Sequence, residues 1–385
     1  MWGLGIKRIA RRGQKMNCRS CMSDVSEQID FGTHPISHKL WDSESEVAMS
    51  HTVRLGHCFA CGLTQLMDEV PEDVLYAEYD PSGQKHQPHA EELSKWIENK
   101  GLTVEIGCND GGFLELLKRR GFDSLLGIEP SDTADIAMGK GFPVIKDYFG
   151  LGFWQRPSKQ AKCVIAREVL EHVPDVNGFM RGISEMLDEG GKVLIEVPDF
   201  EHPLRNGDYS VIWEEHLSYF TQHILENLLM KHGFRVLRWK QFDYSGRVMA
   251  VLAEKVDCAM PYYLIDDSLI NGYVGLWPTF LENVHRYFQN RYDVSFSVYG
   301  AGCRACSLLN FADIAKYFHF VVDDNSKRIG KFFPAGGMEI LNSPGDSDVC
   351  FLAVNEENER KVIERNPDFK GRFTSLFPPE GEMYA

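Results

Sequence analysis

The chain has 385 residues and a mass of 43.9 kDa, more than twice a typical ~150-residue domain, so two or three cores are expected. With 43% hydrophobic and 25% charged residues it is composed like a globular protein, and 56 acidic against 41 basic residues give a formal charge of −15, which argues against nucleic acid as partner. No run approaches the ~20 apolar residues needed to span a bilayer, so no membrane association is expected and the cytoplasm is the expected compartment.

Residues 1–16 carry Lys7, Arg8, Arg11, Arg12 and Lys15 without a following apolar stretch, which reads as a disordered or non-native tail rather than a signal peptide. Next come Cys18-Arg-Ser-Cys21 and Cys58-Phe-Ala-Cys61. Each pair puts two thiolates on one tight turn, and two such knuckles make a closed tetrahedral site with no open position for chemistry. Zinc bound there is structural. A redox motif would normally open a helix of a thioredoxin-like unit, which this stretch lacks. The long spacer requires a loop or small sheet, and His51 and His57 within it read as bystanders.

A short helical connector is expected over 89–100, and from Leu102 apolar strands, glycine turns and amphipathic helices alternate, which predicts a doubly wound α/β sheet. In Val104-Glu-Ile-Gly-Cys-Asn-Asp-Gly-Gly112 a strand ends in a glycine loop that opens a helix over 113–120, so backbone can approach a ligand at a helix N-terminus. Glu129, ending the next strand, is placed for ribose hydroxyls. The loop is not the dinucleotide pattern. Glu-x-Gly-x-Asn-x-Gly resembles the first motif of class I S-adenosylmethionine methyltransferases. That resemblance implies that Glu105, Gly107, Asn109 and Gly111 surround the methionine part, Glu129 the ribose, Asp147 or Tyr148 the adenine, and Arg167 to His172 the methyl donor.

After a helix expected over 179–188 and the strand pattern GKVLIEVPDF, Trp213-Glu214-Glu215-His216-Leu-Ser-Tyr219-Phe220 gathers acids and a histidine without helix or strand period. A histidine flanked by carboxylates can be held near neutrality with a fixed tautomer, as a general base requires. The same residues could equally be a helix-entry segment with self-solvating acids. A helical link over 262–289 leads to a second strand–loop–helix alternation, in which Gly300-Ala-Gly302-Cys-Arg-Ala305 with Asp323 downstream fits a dinucleotide fingerprint.

Taken in order, C-x-x-C, C-x-x-C-G-L-x-Q-L, E-I-G-C-N-D-G, E-H-L-S-Y-F and G-A-G followed by V-D-D-N-x-x-K-x-G-K resemble the nucleotide-sugar C-methyltransferases, which methylate carbon-3 of 4-keto deoxysugars. The resemblance covers nearly the whole chain from Cys18. It implies a zinc-binding domain (17–75), an S-adenosylmethionine-binding class I methyltransferase domain with the helical connector (76–256), and a C-terminal Rossmann-like domain (257–385) that holds the nucleotide sugar. It further implies that His216 abstracts the proton next to the ketone, Glu215 assists and Tyr79 lines the pocket. Trp213, Glu214, Tyr219, Tyr244 and Arg247 would border the substrate; Gly300, Gly302, Asp323, Asp324, Asn325 and Lys327 would border its nucleotide.

Two segments depart from that family. Where it usually reads Tyr-His-Glu-His, this chain has Trp213-Glu-Glu-His216, and where it reads His-Gly-Gly-Ser then Leu-Arg, this chain has Tyr244-Ser-Gly-Arg247 then Val-Met. The expectation is therefore an S-adenosylmethionine-dependent, zinc-containing methyltransferase of a nucleotide-linked sugar, with carbon the acceptor. An O-methyltransferase of the same architecture and a non-catalytic or NAD-binding nucleotide-sugar protein are the alternatives.

Overall fold

A computed structural model describes residues 7–8, 16–43, 49–75, 87–150, 160–257 and 265–377. Tyr79 lies outside them, as does most of the expected tail; within that tail, Lys7–Arg8 form a short strand, β1. It runs parallel to Met49–Ser50.

The first sheet fills the space between the knuckles. Strands β2 (Ser26–Pro35) and β3 (Met49–His57) form an antiparallel pair, bulged twice, and β4 (Thr64–Leu66) continues it antiparallel to β3. After the short helices α1 (Glu72–Leu75) and α2 (Ala90–Ser94), the alternating segment begins. Its strands are β5 (Thr103–Ile106), β6 (Leu125–Ile128), β7 (Val144–Ile145), β8 (Ala161–Arg167) and β9 (Leu187–Pro198). The helices between them are α3 (Gly112–Arg119), α4 (Thr133–Gly139) and α5 (Val176–Met186). Helix α5 starts earlier than its apolar pattern suggested, because the Asp175 carboxylate accepts the Gly178 N–H and caps the first turn.

Beyond β9 come α6 (Glu201–Asn206), the two-residue strand β10 (Ser218–Tyr219), α7 (Gln222–Lys231), β11 (Phe234–Phe242) and β12 (Val248–Lys255). The second sheet runs β11-β12-β9-β8-β5-β6-β7, parallel except for β12, which is antiparallel to both neighbours. Strand order reverses between β5 and β8, the switch point outside whose carboxyl ends ligands bind in open α/β sheets.

Helix α8 (Ser268–Gln289) leads to the third sheet, built from β13 (Phe296–Tyr299), β14 (Phe318–Val322), β15 (Phe332–Phe333), β16 (Met338–Leu341), β17 (Val349–Leu352) and β18 (Arg372–Ser375). Helices α9 (Cys303–Phe311) and α10 (Glu356–Arg365) belong to it. The order is β15-β16-β14-β13-β17-β18, again with a switch point, now beside β13.

Strand β10 pairs antiparallel with β4, so a piece of the central stretch completes the cysteine-bearing sheet. One apolar core joins Phe31 and Leu55 of that sheet, Phe200 and Tyr209 of the central stretch, Trp277 of α8 and Phe311 of α9. Phe31 stacks on Phe311 at 4.3 Å between ring centroids. Burying such aromatic area is worth several kcal/mol, so these segments behave as one packed body.

Candidate active site

The four knuckle sulfurs come together as the spacing required: Cys18 Sγ is 3.5 Å from Cys61 Sγ, and Cys21 Sγ is 3.3 Å from Cys58 Sγ. All four lie within 4.8 Å of one another. Tetrahedral zinc with bonds of ~2.3 Å needs sulfur–sulfur edges of about 3.8 Å, close to this. The hydrogen bond from Cys61 brings the Cys18 thiol down to about 4, while burial pushes Cys58 up to about 11. Four thiols this close cannot all ionise unless a cation joins them, and the donor set suits zinc. Neither His51 nor His57 is a ligand: His57 bridges Thr64 Oγ1 (2.9 Å) and Asp267 Oδ1 (3.0 Å), and His51 faces Glu214 at 3.9 Å.

At the first switch point Gly107 (φ +68°) turns the chain off β5; a Cβ there would stand 2.5 Å from Val169 Cγ2. Asn109 is also left-handed (φ +49°), and Gly111 (φ +79°) leads into α3. The buried Glu129 carboxylate closes this loop. Its Oε2 accepts the Asn109 N–H at 3.0 Å and its Oε1 the Ser131 N–H at 2.9 Å. Each oxygen keeps a lone pair for a further donor. Glu105 is buried behind the loop, where desolvation lifts its carboxyl to about 8 against the pull of Arg167. Arg167 itself is committed: its Nε donates to Glu196 Oε2 at 2.6 Å and its guanidinium lies 4.3 Å over the Phe113 ring. Asp147 is exposed and accepts the Tyr148 N–H at 2.8 Å.

The acid-base segment sits where the three sheets meet. Glu214 Oε1 accepts from Ser37 N (2.6 Å) and Ser37 Oγ (2.8 Å), residues of the cysteine-bearing unit. Burial works to raise the Glu214 carboxyl, but His38, His51 and Ser37 outweigh it and hold it below the ordinary range. Glu215 does not turn to His216, as a flanking carboxylate was expected to. Its Oε1 lies 3.2 Å from Nδ1 of His38. Neither Glu214 nor Glu215 therefore raises His216, and burial with the neighbouring His172 drives its imidazole well below the ordinary histidine range. It is neutral, though not poised near neutrality. Trp213 packs 4.0 Å from its ring. Tyr219, expected to face substrate, is 5% exposed and belongs to the aromatic core beside Phe200.

The second glycine loop adjoins the same place. Cys303, first residue of α9, is half-buried; desolvation and the nearby Glu215 and Glu214 carboxylates push its thiol up, against a hydrogen bond with Ser37. A Cβ on Gly300 (φ +116°) would stand 2.5 Å from the Ala353 carbonyl oxygen, so backbone conformation and packing both require this glycine, whereas the space at Gly302 is open. Asp323 closes the loop as Glu129 closes the first: Oδ2 accepts from Ala301 N (2.9 Å) and Arg328 Nη1 (3.0 Å), and Oδ1 from Asn325 N (2.8 Å). Asn325 Oδ1 takes the Lys327 N–H at 3.0 Å, and Asp324 pairs with Arg365 at 2.8 Å. The 244–247 loop reaches across too: Ser245 N donates to Glu357 Oε1 (3.0 Å), a Cβ on Gly246 would meet Arg304 Nη1 at 2.9 Å, and Tyr244 packs 5.1 Å from the His89 ring. Arg247 has φ +95°.

Sequence reasoning passed over several residues that build this site. His38 and Ser37 carry no motif. Arg304, which donates to Asp208 (2.6 Å), Ser210 (3.0 Å) and Asn355 (2.5 Å), looked like a variable position of the fingerprint. A third C-x-x-C, Cys303 to Cys306, was legible but is drawn into α9 rather than the cysteine cluster.

Residues 78–238 match the model of a family described as a methyltransferase domain, and residues 18–76 one described as a "putative zinc binding domain". The chain thus contains a segment similar to a methyltransferase domain next to one similar to a zinc-binding domain. It is 28% identical over 252 residues, 61% of its length, to the C-methyltransferase NovU of Streptomyces niveus, and spans about 60% of that relative's length. Solved structures similar to it include an S-adenosylmethionine-dependent methyltransferase from Mesorhizobium loti (16% identity, 44% of this chain and 99% of that one, TM-score 0.37). Another is the magnesium protoporphyrin IX methyltransferase of Synechocystis (14%, 44% and 79%, TM-score 0.35).

Proposed function

We propose that the protein transfers a methyl group from S-adenosylmethionine to a carbon next to the ketone of a nucleotide-linked deoxysugar. The observation that carries this reading is the place of His216: a buried, neutral imidazole where the unit with the methyl-donor loop and the unit with the second glycine loop meet. The donor, held at Glu105, Gly107, Asn109, Gly111 and Glu129, supplies an electrophilic methyl. The 300–302 loop and Asp323 to Lys327 would anchor the nucleotide, leaving the sugar over Trp213, Tyr244 and Arg247, with Tyr79 as a further lining residue. His216 takes the proton made acidic by the ketone, and the electron pair left on carbon attacks the methyl in line. The zinc has no part in these steps. A division into units 17–75, 76–256 and 257–385 goes with this reading, as does a cytoplasmic setting.

Labelled S-adenosylmethionine incubated with a panel of nucleotide sugars, with mass spectrometry and NMR of the products, tests it. A new carbon–carbon bond and exchange of the substrate α-hydrogen with deuterated solvent are expected. Methyl on oxygen without such exchange would replace the carbon reading, and binding of NAD with no transfer would overturn both.

A further inference from the structure

Glu171 falls in the Arg167 to His172 stretch expected to border the methyl donor but has been given no role of its own, and it lies in a cluster with His172 and the base His216. It lies just after β8, 1% exposed, and neither of its oxygens has a hydrogen-bond partner from another residue. An unpartnered buried carboxyl costs on the order of 1–3 kcal/mol or more, which a fold retains only where the group has work to do or a ligand to meet. One ring nitrogen each of His172 and His216 and one oxygen of Glu171 lie within 4.8 Å of one another. The His172 Nδ1–H donates to the Glu215 carbonyl at 2.8 Å, which leaves Nε2 as the lone pair, 3.8 Å from Glu171 Oε1. The two imidazoles meet edge to face, 5.0 Å between centroids. The backbone ties the parts together, since Leu217 N donates to the Glu171 carbonyl at 2.8 Å.

We propose that His216 does not act alone: Glu171, His172 and His216 form a relay in which one proton enters through His216 and one leaves through His172, with Glu171 as the positioning residue that balances the charge. This rests on the methyl-transfer reading above. Every turnover releases one proton, because a sulfonium becomes a neutral thioether while a substrate C–H is lost. His216 is only 8% exposed, so that proton needs a way out, and the His172 side chain, 26% exposed, is the wetter end of the cluster.

The resting cluster holds one proton. Burial, with Glu168 and Glu196 nearby, raises the Glu171 carboxyl well above its ordinary value, and burial keeps both imidazoles low, His172 against the pull of Glu215. When the substrate proton arrives on His216, Glu171 ionises and its own proton passes to His172 Nε2 and on to water. A carboxylate–imidazolium pair then stands in place of a lone buried cation, and transfer of the His216 proton to Glu171 restores the start. One proton has entered and one has left.

Two arms test this separately from the parent reading. The first needs no substrate: histidine-selective 15N NMR of the full-length zinc-loaded protein with S-adenosylhomocysteine. Glu171→Gln should lower the pH at which the His172/His216 pair first protonates, since no carboxylate can ionise to meet the imidazolium; Glu171→Asp should restore part of the shift. Unchanged titrations in a variant that still binds S-adenosylhomocysteine would overturn the relay. The second arm uses dTDP-4-keto-6-deoxyglucose as probe. Glu171→Gln should lose about 10²-fold in kcat with little change in KM, the scale of general-base assistance, and His172→Gln should lose turnover that millimolar imidazole restores. Absence of imidazole rescue, with kcat unchanged in Glu171→Gln, refutes the relay; the expected NMR shift without turnover on any nucleotide sugar refutes the parent reading instead. A second metal ion per chain, lost in Glu171→Gln, would make the cluster a metal site and also overturn it.

Discussion

Replacing Glu129 by alanine separates a carboxylate that merely closes a loop from one that also holds ligand. In the free protein its two oxygens accept the N–H groups of Asn109 (3.0 Å) and Ser131 (2.9 Å), and Asn109 is left-handed at φ +49°. Charge-assisted bonds of this kind are worth ~1.5–3 kcal/mol each. Asn109 and Ser131 are half-buried, so water can take over in the variant and the lower end of the doubled range, about 3 kcal/mol, bounds the cost to the fold. Spread over a body of this size that is a fall in Tm of roughly 4 °C. Loss of the ribose contact should cost a further ~1.5–3 kcal/mol of binding, roughly 10- to 150-fold in the Kd for S-adenosylmethionine. Calorimetric titration and thermal unfolding on the same preparations read both. Glu129→Gln keeps one acceptor and turns an amide donor toward the other N–H, so it should fall between. A lower Tm with an unchanged Kd would show that Glu129 serves the loop alone, and the placement of the ribose there would be wrong.

Zinc analysis of freshly purified protein should give about one ion per chain, and Cys18→Ser or Cys58→Ser should lose it together with solubility, because three thiolates leave the closed site incomplete; a folded, metal-free native protein would contradict this. Arg304→Ala should leave the Asp208 carboxylate, 7% exposed at its side chain, without its cation. Breaking such a pair costs ~3 kcal/mol, so hydrogen exchange over residues 208–217 should speed up on the order of 100-fold while S-adenosylmethionine binding holds; unchanged exchange would show that the C-terminal unit does not clamp this segment. His38 gives a pH signature: burial pulls its imidazole down, but Glu214 and Glu215 outweigh that and lift it to about 9. The folded state then binds more protons than the unfolded one between ~6.5 and 9, so the contribution is fully present below about 6.5 and lost as pH rises through 9. Tm should therefore fall more between pH 7 and 9 in the native protein than in His38→Gln, and equal falls would refute the pairing.

What the sequence by itself determined is the local chemistry. Two knuckles, a strand–glycine loop–helix and a second such loop are written within a dozen residues each, because thiolate pairs, left-handed turns and helix starts depend on near neighbours. The alternation of apolar strands and amphipathic helices likewise announces parallel sheets, and their switch points announce where ligands bind. The orientation of side chains between units was not written there. Glu214 and Glu215 stand next to His216 in sequence, yet they turn to Ser37 and His38, some 177 residues away, while Glu171 comes in from the end of β8. The 209–217 stretch has no repeating hydrogen-bond pattern of its own to aim its side chains, so tertiary packing aims them: β10 pairs with β4, and Arg304 holds Asp208 and Ser210. Burial then sets their protonation, since desolvation acts only once the chain has closed around them. That is why a histidine that reads as poised near neutrality becomes, in the fold, a weakly basic imidazole beside an unpartnered acid.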